Sequence, residues 1–206
     1  MIYIKEILEI IKSLSIIGAS FVAIFTVNTW RKENIWKRKF EIAEETLVLF
    51  YHARDLINSV RNPFYHIGEG ESRKKSPNET QSETELLNRA YVVIERFEKS
   101  EEVFNNIKRF EYKFKAVFGS EKAKPFYDIN RLMVEIIKAS QILGWNYWLR
   151  QGKGQMGEEE LQQYQKERDD FESKIWMISE KDETSIRLDL IIQNIEDACK
   201  VILDRK

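Results

Sequence analysis

An eighteen-residue stretch without a single charge constrains this chain more than any other feature of its sequence. From Ser13 to Trp30 it reads SLSIIGASFVAIFTVNTW. At 1.5 Å of rise per residue, a helix of this length extends about 27 Å, close to the roughly 30 Å hydrocarbon core of a bilayer. Trp30 stands where interfacial aromatic residues are common. The sequence therefore predicts an N-terminal transmembrane helix within residues 1–30.

Flanking charges predict how that helix is oriented. Five basic residues follow it (Arg31, Lys32, Lys37, Arg38 and Lys39), whereas the two lysines before it are offset by two glutamates. Because basic flanks stay on the cytoplasmic side, we expect a single-pass protein of the inner membrane with its N-terminus outside. The alternatives are a buried core helix and a cleaved signal peptide, although VNTWRK does not resemble a small-x-small cleavage site.

One side of the predicted membrane helix is small and polar. On a wheel of 100° per residue, this side carries Lys5, Glu9, Lys12, Ser13, Ala19, Ser20 and Ala23. Bulky apolar residues occupy the other side of the helix. Small residues allow helices to approach closely, so this face predicts self-association, and in a ring it would line a water path. The alternative is a lone anchor whose hydroxyl groups bond to its own carbonyls.

The remaining 176 residues, 31–206, predict a helical bundle. The chain has only eight glycines and three prolines, and apolar residues recur at helical spacing. We expect the membrane helix to continue into the cytoplasm and to stop at Asn62, before Pro63. Further helices are expected at about 84–118, 125–150, 157–178 and 183–204. The fold class is therefore all-α, with an N-terminal transmembrane helix that continues into a cytoplasmic bundle.

Local signals refine that bundle. The polar segment at about 67–83 (GEGESRKKSPNETQSET) predicts a flexible loop. Thr184 or Ser185 is expected to cap the last helix. The aromatic cluster of Trp145, Tyr147 and Trp148 is expected to be packed core, with a binding platform as the alternative.

Composition argues against several classes of function. The net charge of -1 disfavours constitutive nucleic-acid binding, so no DNA partner is expected. One cysteine and two histidines leave no disulfide within the chain and predict no metal site. The run Gly152–Gly157 fits G-x-G-x-x-G but separates two helices instead of following a strand, so it predicts a loop and no cofactor.

One short segment carries candidate chemistry. Arg61-Asn62-Pro63-Phe64-Tyr65-His66 places an arginine and a histidine at a helix end. Histidine moves protons near neutral pH, and arginine stabilises phosphate charge, so Arg61, Asn62 and His66 are candidate catalytic residues for RNA cleavage without a metal. The alternative is that Arg61 caps the end of a helix while His66 lies in a loop.

This segment resembles the R-x4–6-H signature of HEPN domains, helical bundles that commonly act as dimeric, metal-independent ribonucleases. A HEPN-like bundle behind a membrane helix is similar to the small membrane accessory proteins of type VI-B CRISPR systems. The resemblance implies oligomerisation into a membrane pore, a role in RNA-triggered antiviral defence, and an RNA-guided effector or RNA as partner. Pro63 departs from an unbroken helical signature, in which Arg61 and His66 would lie about 140° apart.

Three functions follow as hypotheses. The first is a membrane-anchored homo-oligomeric effector or accessory protein of antiviral defence that perturbs or permeabilises the inner membrane. The second is a membrane-tethered, metal-independent HEPN ribonuclease. The third is a non-enzymatic membrane scaffold that binds a protein partner.

Overall fold

The computed structural model describes residues 2–150, 156–179 and 181–204, and for residues 2–11 and 13 only the backbone. These ranges form six α-helices and no strand, which confirms the all-α prediction. A 3₁₀ turn (Glu121–Ala123) precedes the fourth helix and a π-helical segment (Leu143–Trp148) follows it. The helices are α1 (Ile2–Val60), α2 (Gln81–Lys99), α3 (Glu101–Phe118), α4 (Lys124–Ile142), α5 (Glu158–Ile175) and α6 (Glu183–Leu203).

The first helix is a single rod of 59 residues. At 1.5 Å per residue it is about 88 Å long, far more than a bilayer needs. Described side chains up to Arg38 are exposed, whereas Ile42, Phe50 and Ile57 are at most 1% exposed. The expected continuation of the apolar helix into the bundle is confirmed. It ends at Val60, since Pro63 disfavours helical backbone in the residue before it.

The bundle forms around the second half of α1. On one side, the Lys113 ammonium of α3 lies 2.7 Å from the Glu45 carboxylate. On the other, the Tyr51 hydroxyl donates to Glu196 of α6 at 2.8 Å. Between them the Phe50 ring meets Phe126 of α4 edge to face, with centroids 4.8 Å apart. Helices α3, α4 and α6 therefore share one apolar core with α1.

The expected single helix over 84–118 is wrong, because Ser100 divides it into α2 and α3. The Ser100 backbone leaves helical geometry at φ −111°, ψ 9°, and its N–H donates to Phe97. The break lets the rings of Phe97 and Phe104 approach to 5.4 Å across it. Thr80 begins α2 with a capping box, in which its hydroxyl accepts from the Glu83 N–H.

The cap of the last helix also differs from the prediction. Asp182, and not Thr184 or Ser185, is the N-cap of α6, and its carboxylate accepts from the Ser185 N–H at 2.8 Å. Thr184 and Ser185 instead lie buried in the first turn. A carboxylate at this position is favourable because the helix dipole is positive there.

The segment between α1 and α2 is folded as a series of turns held against α2. The Glu95 carboxylate of α2 accepts from the Gly70 N–H at 2.6 Å and from the Ser72 hydroxyl at 2.9 Å. Gly70 has φ +85°, and a Cβ there would lie 2.1 Å from the Asn88 carbonyl oxygen. These contacts limit the flexibility that the polar composition of 67–83 predicts.

Candidate functional sites

By its length and composition, the apolar half of α1 could cross a membrane. It is the one helix of the described chain that is long and apolar enough, with a mean hydropathy of 1.3 over eighteen residues, and none of that window is buried. Phe21 and Phe25 expose 76% and 70% of their surface, and Leu14, Ile17 and Val22 are similarly open. A core helix would bury such residues, so the buried-helix alternative finds no support in this chain.

The small and polar face of that segment is open as well. Lys12, Ala19, Ser20 and Ala23 are all exposed, while the side chains of Lys5, Glu9 and Ser13 lie outside the described residues. The Ser20 hydroxyl donates to the Ile16 carbonyl at 2.9 Å, and Thr26 bonds Val22 in the same way at 2.8 Å. In a single chain these two hydroxyls therefore find partners within their own helix.

Arg61 lies at the centre of a polar cluster inside the bundle. Its side chain is 0% exposed, and its Nε and Nη2 donate to the Lys174 and Ser173 carbonyls, each at 2.9 Å. Those carbonyls belong to the last turn of α5, where helical partners are missing. The guanidinium also reaches the Asp182 carboxylate at 2.8 Å and the Ser185 hydroxyl at 3.0 Å. One arginine thus joins the end of α1 to the junction of α5 and α6.

The electrostatics of the cluster follow from this burial. Desolvation lowers the pKa of Arg61 from its ordinary value, and the hydrogen bond and charge of Asp182 oppose that shift. The main chain adds a further link, since the Met177 N–H donates to the Arg61 carbonyl at 2.7 Å. The guanidinium does cap a helix C-terminus, but the helix is α5 and not its own.

The structure does not bring the three candidate catalytic side chains into one site. Whereas Arg61 is buried, Asn62 and His66 are exposed. The Asn62 side-chain oxygen accepts from the Phe64 N–H at 3.0 Å, which forms a local turn around Pro63. A phosphate group at His66 would be near an open imidazole but would not reach the Arg61 guanidinium in this arrangement.

A second arginine, Arg96, binds the backbone of the same segment. Arg96 of α2 donates to the Asn62 carbonyl at 2.7 Å, to the Phe64 carbonyl at 2.8 Å and to the Glu69 carboxylate at 2.8 Å. Its charge lowers the pKa of Glu69 through that hydrogen bond. Sequence patterns do not reveal this role, because Arg96 lies more than thirty residues from the carbonyls that it binds.

The aromatic cluster after α4 divides between core and surface. Tyr147 and Trp148 are 9% and 3% exposed, as expected of core residues, whereas Trp145 is 56% exposed. The Tyr147 hydroxyl donates to Glu167 at 2.6 Å, and burial together with that bond raises the pKa of Tyr147 to about 12. The indole N–H of Trp148 donates to Glu172 at 2.9 Å. These bonds attach α5 to the π-helical segment.

Among the described residues, no group of three or more His, Cys, Asp and Glu side chains is arranged to hold a metal ion. The thiol of Cys199 is buried, and desolvation raises its pKa to about 12. A buried neutral thiol is a poor nucleophile. Of the glycine-rich run, Gly157 is the N-cap of α5, and residues 152–155 lie outside the described chain.

The chain matches no family model, no curated protein and no solved structure. The resemblance to HEPN domains and to type VI-B accessory proteins therefore stays a prediction.

Proposed function

We propose that this chain is a membrane-anchored, homo-oligomeric effector or accessory protein of antiviral defence that perturbs or permeabilises the inner membrane. The observation that carries the proposal is the first half of α1, an apolar rod that nothing in the described chain covers. It is continuous with the helix at the centre of the bundle. A rearrangement of the bundle would thus be passed directly to the membrane.

The position of the small and polar face supports self-association. On a wheel of 100° per residue, Ala19, Ser20 and Ala23 lie roughly 130° away from the mean direction of all the buried residues of α1. The bundle is therefore turned away from the face that copies would share. Since the hydroxyls of Ser20 and Thr26 have partners in their own helix, close packing of small residues is the main attraction.

In the proposed topology the N-terminus is outside, the bundle is in the cytoplasm, and the partners are further copies of the chain and the bilayer. The antiviral role and an RNA-guided effector or RNA as partner rest on the resemblance alone. The bundle supplies the surface on which such a trigger would act.

Reconstitution in liposomes tests the proposal. We expect the full chain to release an entrapped dye, and the double variant Ala19→Leu/Ala23→Leu to release much less because larger side chains separate the helices. The control is Ile17→Leu/Phe21→Leu on the opposite face, which should leak like the wild type. Absence of leakage with the wild type, with or without added RNA, would contradict the proposal.

The ribonuclease hypothesis finds less support in the geometry. It requires Arg61 to contact a phosphate, whereas its guanidinium is buried among protein acceptors.

A specific observation favours the scaffold hypothesis instead. Phe64, Ile67 and the neighbouring Ile178 expose 82%, 106% and 74% of their surface at the bundle end where α1 stops. Crosslinking from position 64 would detect a protein partner that covers these exposed residues. A strictly monomeric particle in detergent would also favour the scaffold hypothesis.

A further inference from the structure

The part of α1 between its apolar stretch and the bundle is strongly basic. Residues 31–39 read RKENIWKRK and carry five basic side chains against one acidic one, although the whole chain has a net charge of -1. Residues 31–38 are exposed, and burial against the bundle begins at Ile42. The last cation of this segment, Lys39, lies about 13.5 Å from Trp30 along the helix, slightly more than the Debye length of about 10 Å at 0.1 M salt.

Four of the five cations lie on one side of the helix. At 100° per residue, Arg31, Lys32, Arg38 and Lys39 fall in a sector of about 120°. That sector is centred within roughly 30° of the direction in which the lower part of α1 is buried. None of the four pairs with a carboxylate of the described chain. Above the bundle, a row of unpaired cations therefore replaces the apolar face of α1.

The bundle end beneath this row carries two more cations. The ion pair between Lys113 and Glu45 places the end of α3 beside the first buried turns of α1. The 3₁₀ turn and the start of α4 follow at once, and there Lys122 and Lys124 are exposed. They line a depression together with Glu121, Asp128 and Ala198, near the end at which α6 returns towards the membrane segment. The two lysines therefore add less net positive charge than the row on α1 does.

We propose that these six cations form a binding surface for the anionic headgroups of phospholipids, which draws the bundle against the bilayer surface. The surface is defined by Arg31, Lys32, Arg38, Lys39, Lys122 and Lys124. The inference rests on the membrane placement proposed above, because the apolar stretch brings the cations to headgroup level. Charge complementarity supplies the attraction, since basic residues next to a span are drawn to anionic lipid. Trp30 directly before the basic segment and Trp36 within it are both exposed, and tryptophan is common at membrane interfaces.

Hydrogen exchange of the full chain in lipid nanodiscs tests this surface. We compare discs of phosphatidylcholine with discs that also contain phosphatidylglycerol, and follow peptides that cover 31–39 and 121–125. We expect several-fold slower exchange of both peptides in the anionic discs, and loss of the difference in 0.5 M salt, where charges are screened beyond a few ångströms. Peptides from α5 should exchange equally in both discs.

The matched variants replace four cations each. Arg31→Gln/Lys32→Gln/Arg38→Gln/Lys39→Gln should abolish the difference between discs, whereas Lys74→Gln/Lys75→Gln/Lys108→Gln/Lys166→Gln, all at exposed positions, should preserve it. Equal exchange of the wild type in both discs would overturn the proposal, as would protection by added RNA in neutral discs. Failure of the chain to enter either kind of disc would instead overturn the membrane placement, so the two failures are distinguishable.

Discussion

Arg61 shows how one buried charge can organise three helices. Its side chain touches the last turn of α5 and the first turn of α6 while its backbone belongs to the end of α1. Burying a guanidinium is costly unless its hydrogen bonds are made, so each acceptor is part of the arrangement. Lysine would not replace it, because a single ammonium cannot reach acceptors spread over two helix ends.

Removing this guanidinium should destabilise the bundle. For Arg61→Ala we expect a loss of about 3–5 kcal/mol in the free energy of unfolding, since Asp182 and the α5 carbonyls would stay buried without their donor. Arg61→Lys should also be clearly destabilised. The measurement is urea unfolding in detergent followed by tryptophan fluorescence. Arg109→Ala, at an exposed position, is the control and should change stability by less than about 0.5 kcal/mol. A stable Arg61→Ala would refute the structural role.

His66 should behave in the opposite way. Its side chain is exposed, so His66→Ala should leave the free energy of unfolding within about 0.5 kcal/mol of the wild type. If the membrane activity proposed here is correct, dye release and in-cell protection should also be unchanged. RNA cleavage that is present in the wild type and lost in His66→Ala would contradict this expectation and favour the ribonuclease.

At the scale of single residues, the sequence identifies the segment from Arg61 to His66 but does not predict the tertiary contacts of Arg61. Pro63 correctly predicts the end of α1 from a local steric rule. By contrast, Asp182 lies 121 residues from Arg61 along the chain, and no local spacing announces that contact. The same motif is therefore compatible with catalysis and with helix capping until tertiary packing is known.

Among the helices, the crossing of α2 with the π-helical segment depends on a missing side chain. A Cβ on Gly144 would lie 2.7 Å from the Cβ of Ala90 in α2. Gly144→Ala should therefore force the two apart, at a cost of about 1–3 kcal/mol. Gly18→Ala in α1 is the matched control, because Gly18 is also a helical glycine and nothing lies within 4 Å of its added Cβ. Thermal unfolding followed by circular dichroism measures both, and equal midpoints would contradict the close approach.

Helix prediction succeeded where periodicity is long and failed where the chain turns without a strong breaker. The helices at 157–178 and 183–204 are found at 158–175 and 183–203. Ser100, however, lies between two amphipathic stretches without a glycine or proline, so nothing local signals the break. The π-helical segment at 143–148 has no local signal either, and the close approach of Gly144 to Ala90 joins positions far apart in the chain.

The stability of the whole molecule should depend on pH at both extremes. The hydrogen bond from Arg73 lowers the pKa of Glu79 to about 2, and Glu69, Glu95 and Glu135 are lowered by cationic partners as well. Stabilisation from a depressed carboxyl pKa is present above the unfolded value of 4.5 and is lost as pH falls towards the folded value. Tyr147, raised from 10.0 to about 12, contributes below pH 10 and loses that contribution as pH rises through 12.

We therefore expect the midpoint temperature of unfolding to be nearly constant between about pH 4.5 and pH 10. It should fall below about pH 4.5 and again above about pH 10. Tryptophan fluorescence across a pH series measures it. Glu79→Gln should show a smaller acid loss, and Tyr147→Phe a smaller alkaline loss, each relative to its own midpoint at neutral pH. A midpoint that keeps rising as pH falls below 4.5 would contradict the assignment.

The assembly state is the property of the whole molecule on which the proposed function depends. A lone anchor can leave Leu14, Phe21 and Phe25 in contact with lipid, and the Ser20 and Thr26 hydroxyls bond within their own helix, so hydropathy alone gives no reason to associate. The asymmetry of the helix, by contrast, gives a reason for copies of the chain to associate. Its small face points away from the bundle, and a charged residue, Lys12, lies on the N-terminal side of Ala19, Ser20 and Ala23.

We expect the particle in mild detergent to have several times the mass of one chain, measured by light scattering with the detergent subtracted. Ala19→Leu/Ala23→Leu should shift it towards the single-chain mass, because leucine prevents the backbones from approaching. Ile17→Leu/Phe21→Leu should leave the mass unchanged. If wild type and both variants are all monomeric, the small face has no role in assembly. The continuous α1 would then serve only as an anchor, which holds the bundle at the membrane without changing the permeability of the bilayer.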